Sequence, residues 1–544
     1  MSAVWLLLIS IVVLVAAYAV YGSFIIKKLG GIDPTAKTPA HTLRDDVDYV
    51  PTPLPIVLGH HFATIAGAGP IVGPIVAAVF GWVPVFLWIL LGGIFIGAVH
   101  DVSALYASIR HRAKSIAEVL LENVGISGKM LFAAFAWLTL VLLVGAFAFI
   151  IATTFAGTPS VATTSALFIV LAVAFGYAVQ RRGAPVLLST IVGVVLLALC
   201  VWLGTLFPIA LPRDTWIPIL LLYALVAATL PVWLLLQPRD YLNSFLLYGF
   251  LGGALIAIFV ANPTIQLPAF TTFTTDLGFL FPILFVTVAC GAISGFHALA
   301  ASGTTAKQLS SESHIKPIGY GSMLLESLLA VISLITAAHL LMGDYTRLLA
   351  EKGWGGIFAS GAGNFLTAIG IPLEAGAAFA GLVLSAFALT TMDTAARLSR
   401  FMLQELVGQE KGRPSAVVAV VANRYVASAI TVVLGAWLAL GGGWRTLWPL
   451  FGTANQLIGA LALLAITVWL ARSGKSTWFV LYPMLFMLAV TMTALVVMFL
   501  RVVGVDLVQT IITVLLFMLA IVLVYLAITK LATEAKQRGR APGG

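Results

Sequence analysis

Histidines and carboxylates set inside apolar runs are the residues of this chain best suited to chemistry. His60 and His61 fall in GHHFATIAGAGPIVGP, His100 and Asp101 in the next apolar run, and His297 in CGAISGFHALAASGTT beside Ser294. Glu326, Arg239, Asp240 and Asp393 complete the set. Ionisable groups in hydrocarbon are costly and default to functional roles. Three uses compete. A proton relay suits imidazole and carboxylate, because histidine changes charge near neutral pH. A gate would make and break the pairs open to Arg239, Asp240, Asp101 and Asp393. A metal site is the weakest, because His60–His61 and His100–Asp101 are adjacent pairs and lack the i, i+4 spacing that puts two ligands on one helical face. For any one of these residues the plain alternative is a polar side chain satisfied by a nearby carbonyl, and Arg239 and Asp393 are also readable as interfacial. His41, His111 and His314 fall between runs and are read as solvated. Cys200 and Cys290 form no metal or disulfide pattern.

Only a membrane supplies the setting these residues imply. Of the 544 residues, 61% are hydrophobic and 9% charged, with mean hydropathy +1.09, whereas a soluble chain carries about 25% charged residues. Apolar stretches near the roughly 20 residues that cross a bilayer as a helix recur near 3–26, 55–80, 82–108, 130–155, 162–180, 184–207, 215–237, 242–262, 278–301, 318–342, 371–395, 424–441, 447–471, 477–500 and 507–529. The expectation is an all-α polytopic membrane protein forming one membrane domain over 1–544, with a cytoplasmic tail at 530–544. The first run is too long for a signal-peptide core and lacks a basic n-region, so it is read as a retained helix. Across alternate loops the 29 Lys and Arg divide 24 against 5. The positive-inside rule places the rich side in the cytoplasm, the N-terminus outside and the C-terminus inside. That asymmetry accounts for the net charge of +9 without nucleic acid. Trp82, Trp216, Trp444 and Trp448 read as interfacial anchors. The glycines at 67–73 lack the preceding strand and the GK[ST] ending of a P-loop, so energy is expected from an ion gradient, with no cofactor and no metal.

Two segments carry helix-breaking residues. One holds Ala66, Gly67, Ala68, Gly69, Pro70, Gly73 and Pro74; the other, LVAATLPVWLLLQPRD, holds Thr229, Pro231, Gln237 and Pro238. With the spans above they open two five-helix units of opposite topology, 55–207 and 215–395, preceded by one extra helix and followed by about four at 424–529. Broken helices at matching positions of inverted repeats point to a midplane substrate site. The substrate candidates are therefore His60, His61, Ala66–Pro70, Thr229, Pro231 and Gln237. Half-helix N-termini favour anions, which suits a small carboxylate. The ion-coupling candidates are His61, Asp101, Ser294, His297 and Glu326, and the gating candidates Arg239, Asp240 and Asp393. Sodium held by Ser294, Thr304 and the carbonyls of Ala63 and Ala66 is the alternative to protons.

GHHFATIAGAGPIVGP, LPVWLLLQPRDYLN, CGAISGFHALAASGTT, TTMDTAARLSRFMLQE and LWPLFGTANQLIGALAL together resemble the carbon starvation A family, over about residues 50–470. The resemblance implies a LeuT-like fold, inner-membrane location and uptake of pyruvate driven by protons, or of short peptides. It also implies that 55–80 and 215–237 line the substrate site, with 278–301 packed beside the first. His100 departs from the neutral polar residue that members carry before the aspartate. A channel would need pore-loop patterns, and a membrane enzyme a nucleophile beside its base; neither is present. A nutrient sensor acting through partners remains a rival reading, and the sequence leaves a homo-oligomer open.

Overall fold

The structure, a computed structural model, describes residues 1–407, 416–441 and 444–538. Lys411, Arg413, Arg540 and the end of the tail lie outside the described residues, as do the side chains of Trp444, Arg445, Lys536 and Arg538. Every expected span has helix at its place, because a backbone in hydrocarbon must satisfy its own hydrogen bonds. In chain order these are α1 (Ala3–Leu29), α2 (Leu54–Ile65), α3 (Gly69–Ala77), α4 (Trp82–Arg110), α5 (Ile126–Gly157), α6 (Pro159–Arg182), α7 (Val186–Leu206), α8 (Arg213–Thr229) and α9 (Leu236–Ala261). A two-stranded hairpin, β1 (Thr274–Thr275) with β2 (Gly278–Phe279), precedes α10 (Leu280–Thr287), α11 (Ala289–Ala292) and α12 (Gly295–Gly303). There follow α13 (Glu312–Ala338), α14 (Met342–Thr367), α15 (Leu373–Val407), α16 (Arg424–Leu440), α17 (Trp444–Arg472), α18 (Trp478–Val502) and α19 (Leu507–Arg538). Among the described residues twelve helices are long and apolar enough to cross a membrane. The protein is a multi-pass membrane protein.

The first break stands where the Gly/Pro cluster puts it. Pro53 and Pro55 start α2, where a missing N–H costs nothing. Pro70 at the start of α3 cannot donate to the carbonyl of Ala66, so the ladder stops, and Pro74 leaves the carbonyl of Pro70 without its helical donor. The chain crosses the gap at Ala66–Ala68 with Gly67 N–H turned back onto Ile65 O at 2.8 Å.

The second expected break, at Thr229–Pro231, falls between two helices and not inside one. Helix α8 ends at Thr229, and Pro231 lies in the turn before α9. That turn rests on the segment leading to α2: Val232 N–H donates to Val47 O at 3.2 Å, and the Trp233 indole to Asp46 O at 3.1 Å. Prolines here separate two helices and do not interrupt one. The interrupted run is 280–303, which carries no internal proline or charge at its gap to announce it. Helix α11 stops at Ala292, Ile293 and Ser294 are extended, and α12 begins at Gly295.

Glycines let the broken runs touch backbone to backbone. A Cβ on Gly73 would sit 2.6 Å from Thr287 O and 2.9 Å from Val288 Cα, and one on Gly295 would collide with the α17 backbone at Asn455 and Gly459. Around this pair, α5 lies along α15, α2 along α9, α12 along α17, and α8 along α16. Helix α14, kinked at Gly353 (φ 66°), was not among the expected spans because its polar residues dilute its hydropathy. Gly73→Ala is expected to cost about 1–3 kcal/mol of stability through overpacking. Gly249→Ala, with nothing within 4 Å, is expected to be neutral or slightly stabilising. Thermal unfolding in detergent reads both.

Candidate functional site

Two buried clusters flank α2 on either side of its consecutive histidines. One hundred degrees of helical turn separates neighbouring residues, so His60 and His61 face different elements. His60 Nδ1 meets Asp240 Oδ2 of α9 at 2.6 Å, and His61 Nδ1 meets Thr305 Oγ1, just past α12, at 2.9 Å. Both imidazoles are fully buried.

In the first cluster Arg239 lies between Asp240 (3.2 Å) and Asp393 of α15, to which its Nη1 is directly bonded. The Tyr223 hydroxyl of α8 donates to Asp393 Oδ2 at 2.5 Å. Arg239 and Asp393 are 1% and 0% exposed, so they are core residues and not interfacial ones. In the second, Asp101 of α4 receives His100 Nδ1 at 2.7 Å on one oxygen and His297 Nδ1 of α12 at 2.9 Å on the other. The far nitrogen of His297 stands 3.2 Å from Glu326 Oε2 of α13, within ion-pair reach but not aligned as a hydrogen bond. Carboxylate, imidazole and carboxylate thus form a line across three helices. His100 completes the second hydrogen bond to Asp101. Among the described residues no group of three or more His, Cys, Asp or Glu could hold a metal ion.

The breaks lie beside these clusters. Gly67 is covered by Thr391 of α15 and Phe147 of α5, and Thr391 donates to Thr64 O at 2.9 Å. Asn455 of α17 closes the N-terminus of α12, accepting from Phe296 N–H at 2.8 Å and donating to Ser294 Oγ at 2.9 Å. A cavity of about 200 Å³ runs from Gly69 and Cys290, past Trp448 and Phe451, to Asp276 and Arg501. Trp448 stacks on Phe147 and buried Trp216 packs on Phe155; both belong to the bundle interior and not to an interfacial belt.

Other expected residues fall elsewhere. Gln237 bonds Gln308 (2.7 Å) and Thr52 (3.1 Å). Thr52 precedes α2 by its whole length, so Gln237 sits about 18 Å from the gap. With the contacts of Val232 and Trp233 to Val47 and Asp46 it forms a latch between the start of α9 and the segment leading to α2. Arg397 reinforces that latch through Asp48 at 2.8 Å and through Leu230 O. Lys307, outside the spans, lies 4.2 Å from the Phe401 ring centroid, and burial pushes its ammonium below the usual range. Thr304 donates to Ala300 O at the far end of α12 from Ser294. About 14 Å of helix therefore divides the two side-chain oxygens proposed for sodium. His111 is buried against Trp469 and bonds Ala107 O at 2.7 Å, not solvated. Tyr223, Thr391, Asn455, Asp48 and Arg397 escaped the sequence reading as site residues. The quoted motifs contained Thr391, Asn455 and Arg397, but no charge or proline marks Thr391 or Asn455, and Arg397 reads as one of the loop cations.

Residues 2–355 and 346–494 match the family Carbon starvation protein CstA. This chain belongs to that family. The Campylobacter jejuni peptide transporter CstA is 35% identical over 90% of this chain and 79% of its own. The Escherichia coli peptide transporter CstA is 34% identical over 91% and 80%. The Escherichia coli pyruvate/proton symporter BtsT is likewise 34% identical, over 91% and 81%. The Eremococcus coleocola manganese transporter shares the fold, with TM-score 0.50 at 11% identity, over 90% of this chain and 99% of that one. As a CstA-family member the chain is a membrane transporter. Removing Arg239 from such a site leaves the buried Asp393 without its cation and Asp240 with His60 alone, and Arg239→Ala is expected to cost about 3–5 kcal/mol. Adding Asp393→Asn should restore part of that, which a double-mutant comparison of thermal stability measures.

Proposed function

We propose that this protein is not an enzyme but a secondary transporter that imports pyruvate across the bacterial inner membrane by proton symport. The observation that carries the reading is the half-helix N-terminus at Gly69, which opens on the cavity it shares with Cys290, beside the line Asp101–His297–Glu326. Such an N-terminus presents about half a positive charge and suits a carboxylate. His297, between two carboxylates and sealed from solvent, is the group to carry the coupling proton; His61 lines the same side, and Asp101 and Glu326 accept and relay. Arg239, Asp240 and Asp393 act as the gate on the basic face, which we assign to the cytoplasm, with the N-terminus outside and the C-terminus inside.

The break at 280–303 and the helix pairings support two inverted five-helix units at 54–261 and 280–472, in place of 55–207 and 215–395. Helices α6 and α7 are then an inserted hairpin, and α14 an insertion between α13 and α15. Short peptides are the second reading, favoured by the names of the CstA relatives. A peptide also needs a carboxylate for its ammonium, and Asp101, Asp240 and Asp393 each already have a cationic or imidazole partner.

Proteoliposomes test this directly. An inward pH gradient without sodium is expected to drive accumulation of labelled pyruvate, and His297→Gln to abolish accumulation while pyruvate exchange persists. Accumulation that requires sodium and ignores the pH gradient overturns the proton assignment. Uptake of labelled dialanine and not pyruvate overturns the substrate.

A further inference from the structure

The N-terminal helix α1 does not pack flush against the bundle. Between it and α13 runs a groove of about 300 Å³, lined by Ile11, Leu14, Tyr18, Leu58, Leu325 and Leu328 among others. Its walls are apolar and it opens on the bundle's outer surface, where Val12 and Val15 of α1 are 65% and 62% exposed. From Pro317 to Leu328 the α13 wall is about 16 Å long, which matches the extended chain of a fatty acid.

One end of the groove is polar and the other is not. At the polar end stands Lys316, whose Nζ donates to Ser23 Oγ at 2.7 Å and lies 4.4 Å from the Tyr18 ring centroid. An ammonium has three donors, and no carboxylate lies within 4.0 Å of this one among the ion pairs of the described residues. Lys27 is four residues on from Ser23, on the same helical face, so a second lysine flanks the end of the groove. Both helices are π-wound here, at Ala17–Gly22 and Lys316–Gly321, a distortion found often at functional sites. Gly22 faces the Tyr320 ring and Gly321 the Tyr18 ring, so the two widened turns interlock and hold Tyr18 under the lysine.

We propose that this groove is a binding site for one anionic glycerophospholipid, an acyl chain lying along α1 and α13 and the phosphate on Lys316 with Lys27. Charge complementarity selects the headgroup, and the length and polarity of the groove select the chain. Leu58 belongs to α2, two residues before His60, so the lipid contacts the helix that carries the histidines as well as the one that carries Glu326.

Native mass spectrometry of the full-length, delipidated protein tests the site, with phosphatidylglycerol and phosphatidylcholine of equal chain length added together. Retention of one phosphatidylglycerol over phosphatidylcholine by about fivefold per participating lysine is expected. Lys316→Gln should remove most of that preference while leaving phosphatidylcholine retention unchanged. Leu325→Trp, or Leu328→Phe should the first fail to fold, fills the groove and should reduce retention of both lipids. Equal retention by the wild type overturns the proposal, as does a preference that Lys316→Gln leaves undiminished. Displacement by glycerol phosphate as effective as by phosphatidylglycerol would place the affinity in the anion alone and reject the acyl groove.

Discussion

A charge inside a dry helical bundle cannot stand alone, and the pairing this demands fixes how the helices of this protein meet. Moving an ion out of water costs several kcal/mol even after relaxation, so each buried carboxylate must find its partner on another element. Asp393 finds Arg239 and Tyr223, tying α15 to α9 and α8. Asp101 finds His297, tying α4 to α12, and His297 reaches on to Glu326 on α13. Helix α2 is held between the two sets by consecutive histidines that point to different partners. The adjacency that argues against a shared metal is what lets one short helix address both clusters. Such pairs add little net stability over an apolar core, but they penalise any other arrangement severely, which specifies the fold.

Much of this was legible in the sequence, and the residues show why. Span positions follow from hydropathy because only helices and closed barrels can cross lipid, and apolar runs of this length fit the helix. His60, His61, Asp101, His297, Glu326, Arg239, Asp240 and Asp393 are conspicuous because charge inside an apolar run is rare. The structure joins all but His61 in ion-pair contacts, and His61 to Thr305. The break at Ala66–Pro70 is legible because proline and glycine remove both donor and propensity. The break at Ile293–Ser294 was not, because its cause is tertiary. Asn455 supplies from α17 the acceptor that the first N–H groups of α12 lack, and no local residue marks that. The same blindness misled the reading of Pro231: a proline between two apolar runs looks alike in a turn and in an interrupted helix. The contacts of Val232 and Trp233 with Asp46 and Val47 decide between them.

The gaps and the buried charges are two answers to one problem. An unbroken helix in hydrocarbon offers a ligand nothing, since all its polar groups are spent on itself. Interrupting it frees amides and carbonyls at mid-helix, but the free groups must then be sheltered or they cost as much as a lost hydrogen bond. Here Thr391 shelters Thr64 O, and Asn455 shelters Phe296 N–H. Both come from helices outside the broken runs. The scaffold thus carries the cost of keeping the gaps open.

Coupling follows from this placement without any further device. On the proposed reading, an anion at the N-terminus of α3 adds negative charge near His297, and negative charge favours the imidazolium over the imidazole. By linkage, a proton on His297 strengthens anion binding by the same factor. The proton and the carboxylate then travel together because each raises the other's affinity. The line Asp101–His297–Glu326 keeps the imidazole sealed from water and bonded at Asp101, so its charge is felt at the gap without being screened by solvent. A histidine at the surface would couple to nothing, since solvent and salt would screen its field before it reached the substrate.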